Sequence, residues 1–393
     1  MIKPEANELQ LSAEEFASDW RPVWAPAEEA NSEDLIVNWN LHAANVPVRS
    51  AEKSDDWLPD NQDFRVSIKG RSGSAGFDGH RSSELKAMEK HLPFLVDELH
   101  ELWLDTTKTK DDTDNSSLMN DIYTWRTAGL PKGSDTIGRP LSVGSVLVRS
   151  WHRALAPAFA APPDYQYCCK KGMSVARATT TWLALKPQAG SEHDLSQAFD
   201  RLDHSVARVS MLAQGTNSSI ASLFIRGWKG PRYCVVAGAI AAPIYPTRSA
   251  PQGCPRAPDA LVSYIAPWRT DGANQFAWMG DKTISPSLPA GQATTRIQAA
   301  IAQTTAFDDD LCILANKGKR QEWSHDNDVT IEHLGLRLDP LHLDDTILLK
   351  RGWDHVAQLI HNLQKIPGSF QVRLRLAQGF SVPHHWSMSG GSR

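Results

Sequence analysis

An α+β fold is what the sequence predicts, and three patterns predict it. Leu85, Met88, Leu92, Leu95, Leu99 and Leu102 recur at spacings of three and four, which lines one face of a helix. The stretches 232–237 with 243–248, and 276–284 by itself, read as strand, turn, strand. The chain has 393 residues, 41% hydrophobic and 22% charged, which excludes overall disorder and allows two or three subdomains with substantial shared cores.

Residues 1–60 carry 13 acids and 4 Lys/Arg, a net of −9, so the other residues carry +5 to reach the total of −4. Prolines interrupt the segment between Trp20, Trp24, Trp39 and Trp57, and only Ser12 to Trp20 reads as helical. The segment is therefore expected to be an acidic appendage to a mildly basic body, which suits a polyanion partner. No apolar run reaches bilayer length and the start lacks a signal peptide's apolar core, so an intracellular, soluble chain without a membrane partner is expected. Cys168, Cys169, Cys234, Cys254 and Cys312 form no C-x-x-C pair or zinc-knuckle spacing, and a reducing compartment fits best.

A glycine-rich basic loop covers 69–79, and Ser82 or Ser83 is placed to cap the leucine-striped helix, kinked at Pro93. After a polar loop at 108–117, Lys132 and Arg139 flank a turn. The ammonium can act there as a point charge and the guanidinium as a bidentate fork for an anion. A further helical stretch runs to Leu155, and a Thr-rich helix starts at Thr179.

Asp194 precedes Phe199 by five residues, with small or apolar residues between. That spacing can present both at the end of a strand as the chain turns into a helix. Helices are expected at about 205–212, stopping at Gly215, and at 220–228. In Ser249–Pro258, Gly253 allows close backbone approach and Gln252 offers an amide, with a helix beginning near Asp259. Two acidic stretches follow: Gly280-Asp281 in the turn of 276–284, and Asp308-Asp309-Asp310 after a helical 294–305. Lys319 lies within a basic stretch, Asn316–Gln321. Beyond it lie Ile331–Gly335, an amphipathic 351–363, and a tail at 341–393 with 6 Lys/Arg against 3 acids.

These strings, in this order, resemble reverse transcriptases of non-LTR retrotransposons. Asp194-Leu195-Ser196-Gln197-Ala198-Phe199-Asp200 resembles motif A, and Pro251-Gln252-Gly253-Cys254-Pro255 resembles motif B. The string Gly280-Asp281 sits where motif C is expected, Asn316–Gln321 resembles motif D, and Ile331–Gly335 resembles motif E. Asp309 would imitate motif C as well, but only 10 residues separate it from Lys319, against 38 from Asp281, and a whole helix is expected in that interval. The resemblance spans about residues 65 to 385.

It implies a right-hand fold with fingers and an antiparallel-sheet palm over 61–340, and a partial helical thumb over 341–393. It also implies template-directed addition of deoxynucleoside triphosphates to a DNA primer on an RNA template. In that reading Asp194 and Asp281 are the catalytic ligands of Mg²⁺ or Mn²⁺, and Lys132 and Arg139 grip the triphosphate. Phe199 gates the ribose, and Gln252, Gly253 and Lys319 contact substrate. Two departures stand out: Gly280 occupies the position of an expected acid, and residues 188–193, before Asp194, are polar where apolar residues are expected. Gly280→Asp would on this reading restore a missing ligand. The rival readings are a catalytically inactive retrotransposon-derived nucleic-acid-binding remnant and a metal-dependent hydrolase built on Asp308–Asp310.

Overall fold

The computed structural model describes residues 11–28, 30–44, 46, 57–69, 75–108, 121–132, 135–170, 172–183, 189–286, 290–324, 331–333 and 336–338. The expected thumb at 341–393, residues 70–74 of the glycine-rich loop, and residues 109–120 lie outside these residues.

Helix α1 (Ala13–Trp24) starts at a capping box in which the Glu15 amide donates to Ser12 Oγ and the Ser12 amide donates to the Glu15 carboxylate. It buries Phe16, Ala17, Trp20 and Trp24 against Cys234, Ala241 and Ile244. Helix α2 (Ser32–Ala43), not anticipated, sends Leu35 and Trp39 into the main core, where the Trp39 indole donates to the Tyr264 carbonyl at 2.9 Å. The expectation of an appendage is thus corrected for 13–43: its tryptophans are core residues, and the acids occupy the outer faces of the two helices.

Helix α3 (Asn61–Lys69) leads to α4 (Ser82–His91) and α5 (Pro93–Lys108). The Arg81 amide donates to the Glu84 carboxylate at 2.9 Å, so the cap falls on Arg81, one residue before the expected serines. The leucine stripe is broken rather than kinked. Past Leu92–Pro93 the buried face shifts to Val96, His100, Trp103 and Thr107, leaving Leu92 and Leu102 exposed.

Strands β1 (Trp125–Lys132) and β2 (Asp135–Val143) form the expected hairpin, followed by α6 (Val146–Ala154) and α7 (Val175–Leu183). Strand β3 (Ala189–His193) precedes α8 (His204–Ala213) and α9 (Ser218–Trp228), both close to expectation. Strands β4 (Arg232–Val236) and β5 (Ala239–Ile240) meet at Ala237 and Gly238, which both have positive φ, the backbone a two-residue hairpin turn requires. The hairpin expected from 243–248 is reduced to one bridge, Arg232 with Ile244.

Helix α10 (Ala257–Ile265) follows. Then come β6 (Asn274–Trp278), β7 (Asp281–Ser285), α11 (Ala290–Asp310), β8 (Gln321–Ser324), β9 (Ile331–His333) and β10 (Leu336–Leu338).

The fold is α+β, with two four-stranded sheets of order β2-β1-β4-β5 and β6-β7-β3-β8, plus the β9-β10 hairpin. In the first sheet β1 runs parallel to β4; the second is antiparallel throughout. Helix α11 packs on the second sheet through β3, β7 and β8. No helix among the described residues is long and apolar enough to cross a membrane.

Candidate active site

The polar strand before Asp194 is the middle of its sheet, and its polarity has structural uses. Gly190 leaves room for Trp323, whose ring would lie 2.1 Å from a Cβ there. Ser191 and His193 are buried and bond one another at 3.1 Å; burial holds the His193 imidazole down to about pKa 3, neutral at physiological pH.

Register does the assembling. β3 pairs with β7 through Ser191 with Ile284, Glu192 with Thr283 and His193 with Lys282. One step further, Asp194 stands opposite Asp281 at the strand ends. Burial first, then the Asp194 carboxylate beside it, pushes the Asp281 carboxyl up to about 7. Lys319, on the short 3₁₀ turn Lys317–Lys319, donates to Asp194 Oδ2 at 2.9 Å, and this hydrogen bond is the main reason its ammonium is shifted upward. The Asn316 amide holds the Asp194 carbonyl at 2.8 Å, which docks that turn against the strand end. Asp194, Asp281 and Lys319 border one open cleft of about 580 Å³.

One residue missed in the sequence borders it too. Glu192 lies two positions before Asp194 and so on the same face of β3; its carboxylate accepts from Thr283 Oγ1 at 3.3 Å and adds to the field that raises Asp281. Strand alternation back from Asp194 is the signal that would have found Glu192.

Arg139, Phe199, Gln252 and Gly253 do not line this cleft. Arg139 is exposed on β2, and its charge is felt at Lys319 and at Asp200. Lys132 is the last residue of β1, paired across the turn with Asp135. Phe199 is half-buried against the main core, its carbonyl accepting from the Ala250 amide at 2.8 Å. Gln252 and Gly253 have structural partners: the Gln252 amide donates to Asp200 Oδ2 at 2.7 Å, and a Cβ at Gly253 would lie 1.9 Å from the Ser142 carbonyl oxygen. The close approach expected at Gly253 is therefore to strand β2. Asp200 is buried, and its other oxygen accepts from the Trp24 indole at 2.8 Å, so α1 braces the turn that carries Phe199.

Asp308–Asp310 are the last turn of α11. Asp308 is buried against Lys282, Asp310 bonds His42 at 2.9 Å, and none of the three borders the Asp194 cleft. Gly280 follows Met279, whose φ is +55°; a Cβ at 280 would meet Leu195 Cβ at 3.2 Å and Ala198 Cβ at 3.3 Å, an apolar wall.

Two carboxylates facing one cleft are hard oxygen donors suited to Mg²⁺ or Mn²⁺ when water and substrate phosphates complete the shell. Among the described residues no group of three or more His, Cys, Asp or Glu is arranged to hold a metal ion. No protein-family model and no curated protein matches the sequence.

Proposed function

We propose that the chain is an RNA-directed DNA polymerase domain of the non-LTR reverse-transcriptase type, with β6-β7-β3-β8 as the palm and the β1-β2 hairpin in the fingers. The observation that carries the reading is the register that stands Asp194 against Asp281 at adjacent strand ends, with Lys319 across the same cleft. Asp194 and Asp281 would hold Mg²⁺ or Mn²⁺, which when bound activates a primer 3′-hydroxyl and stabilises charge on the leaving pyrophosphate. Lys319 and Arg139 supply positive charge for a triphosphate, with Lys132 at the hairpin end. Phe199 borders the sugar position, Gln252 fixes Asp200 beneath it, and Gly253 lets the loop seat on β2.

The second reading, a nucleic-acid-binding remnant without polymerase activity, is favoured by Gly280, where the expected acid is replaced and its direction is walled by Leu195 and Ala198. Primer extension on an RNA template with Mn²⁺, beside binding of the same primer-template across salt concentrations, separates the two. The polymerase reading expects slow extension, abolished by Asp194→Ala and by Asp281→Asn and unchanged by Asp309→Ala. Extension that survives Asp194→Ala but is lost in Asp309→Ala overturns the site. Salt-sensitive binding with no extension establishes the remnant.

A further inference from the structure

Cys168 and Cys169 are neighbours in space as well as in sequence. Their Sγ atoms lie 3.6 Å apart, with Cys168 buried and Cys169 exposed. The chain turns there, with Cys169 at φ +65°, a backbone region that residues other than glycine seldom enter.

This turn is joined to the candidate active site through one side chain. Gln166 is buried, and its Oε1 accepts from the Cys168 amide at 3.3 Å and from the Met279 amide at 3.0 Å. Its Nε2 donates to the Met279 carbonyl at 3.2 Å. The Gln166 amide group thus brackets the first residue of the two-residue turn that sets Asp281 opposite Asp194. The main chain adds to the link: the Tyr167 amide donates to the Ala277 carbonyl at 2.8 Å, and the Ala277 amide to the Tyr165 carbonyl at 2.7 Å.

We propose that Cys168 and Cys169 form a redox modification site, a vicinal dithiol that a low-molecular-weight disulfide oxidises to a reversible bond, releasing the Gln166 bracket on Met279. The exposed Cys169 thiolate attacks one sulfur of oxidised glutathione, whose S–S bond breaks and releases one glutathione thiolate. The Cys168 thiolate then attacks the Cys169 sulfur and displaces the second glutathione. Two protein S–H bonds are lost, one protein S–S bond forms, and the reagent is reduced to two thiols.

Adjacent Cα atoms are about 3.8 Å apart, below the roughly 4.4–6.8 Å of relaxed disulfides. Such a bond is strained and readily reduced, which suits a switch and not a staple. Closing the ring redraws the backbone at 168–169, and the Cys168 amide leaves Gln166.

The test treats the full chain with oxidised glutathione and then with dithiothreitol, reading intact mass, the peptide carrying 168–169, and amide hydrogen exchange. A mass loss of two hydrogens is expected, with both cysteines linked inside one peptide and full reversal by dithiothreitol. Exchange at the Met279 amide should rise about 10-fold in the oxidised chain, as loss of one buried hydrogen bond permits. Cys168→Ser should retain glutathione on Cys169 and keep the slow exchange, and Cys169→Asn, which tolerates positive φ, should not react at 168. Glutathione retained on the parent chain, or a link to Cys312 or to another copy, overturns the dithiol. A linked pair with unchanged Met279 exchange overturns the coupling. Neither readout depends on polymerase activity or metal binding, so failure of the proposed function leaves both decisive.

Discussion

Two lysine–carboxylate pairs belong to the four-stranded sheet β6-β7-β3-β8, and they differ in everything except their chemistry. Lys282 and Asp308 meet between the sheet and α11, with side chains 0% and 1% exposed, and the rings of Trp268 and Phe307 flank the ammonium at 5.3 and 4.8 Å. Lys319 and Asp194 meet at the open end of the same sheet, 54% and 30% exposed. Burial lowers Lys282 and raises Asp308, each partner opposing the shift of the other, so the inner charges persist only as a pair. The outer pair stays in water and can exchange partners. Sequence sets Lys282 directly beside Asp281, yet the lysine is held in the core and the carboxylate borders the cleft. Strand alternation separates them: Asp281 faces the cleft, and Lys282, the next residue, faces α11.

The largest effect expected from breaking this contrast is on the inner pair. Asp308→Ala should cost ~3–5 kcal/mol of unfolding free energy in urea, because it strands a buried ammonium. Replacing both partners, Lys282→Met with Asp308→Leu, should recover most of that loss. A cost below about 1 kcal/mol for the single change would show that water reaches Lys282.

Gly280→Asp comes next. Its Cβ would press on Leu195 and Ala198, so the change is expected to destabilise by ~1–3 kcal/mol before any carboxylate can serve the cleft. Thermal unfolding that is unchanged or improved, together with faster primer extension, would show that the wall yields.

At the outer pair, Lys319→Met should leave stability within about 1 kcal/mol and tighten Mn²⁺ binding by roughly fivefold, since an exposed ion pair no longer competes for Asp194. Weaker Mn²⁺ binding in that variant would mean that Lys319 orients the carboxylate instead of competing for it.

The pH dependence sharpens the outer site further. Because the folded-state value of Asp281 is raised to about 7, the proton on Asp281 stabilises the metal-free chain at low pH, and this contribution is lost as pH rises through about 7. Mn²⁺ affinity should run the opposite way, increasing through the same window as the carboxylate ionises. Asp281→Asn should flatten the stability profile there, and an unchanged profile in urea titrations across pH would remove Asp281 as its source. The smallest effect belongs to Asp309→Ala, expected within about 0.5 kcal/mol on the exposed end of α11.

Much of the local structure was legible from residue chemistry. The helix from Ser12 to Trp20, the helices that begin near Ser205 and Ile220, and the turn between Trp278 and Asp281 all follow from contacts within a few residues. The helix expected between Asp281 and Lys319 was legible as well, because a helix needs length and that interval has room for α11, whose last turn holds Asp309. The errors share a cause. Helix α2 was passed over, and the tryptophans of 13–43 were assigned to an appendage. The Trp24 and Trp39 indoles are held by partners far along the chain, Asp200 and the Tyr264 carbonyl.

Alternation, spacing and caps are written in the sequence because they depend on covalent geometry repeated every few residues. From them come the α+β class, most element positions, and the hairpin at 276–284 that ends beside Asp194. What only tertiary structure decided is which polar groups are satisfied by distant partners: Gln252 by Asp200, Gln166 by Met279, Lys282 by Asp308 and Lys319 by Asp194. An amide or ammonium looks the same in sequence whether it awaits a ligand or already has a partner. Long-range packing fixes its burial, and burial determines whether leaving it unpaired is tolerable.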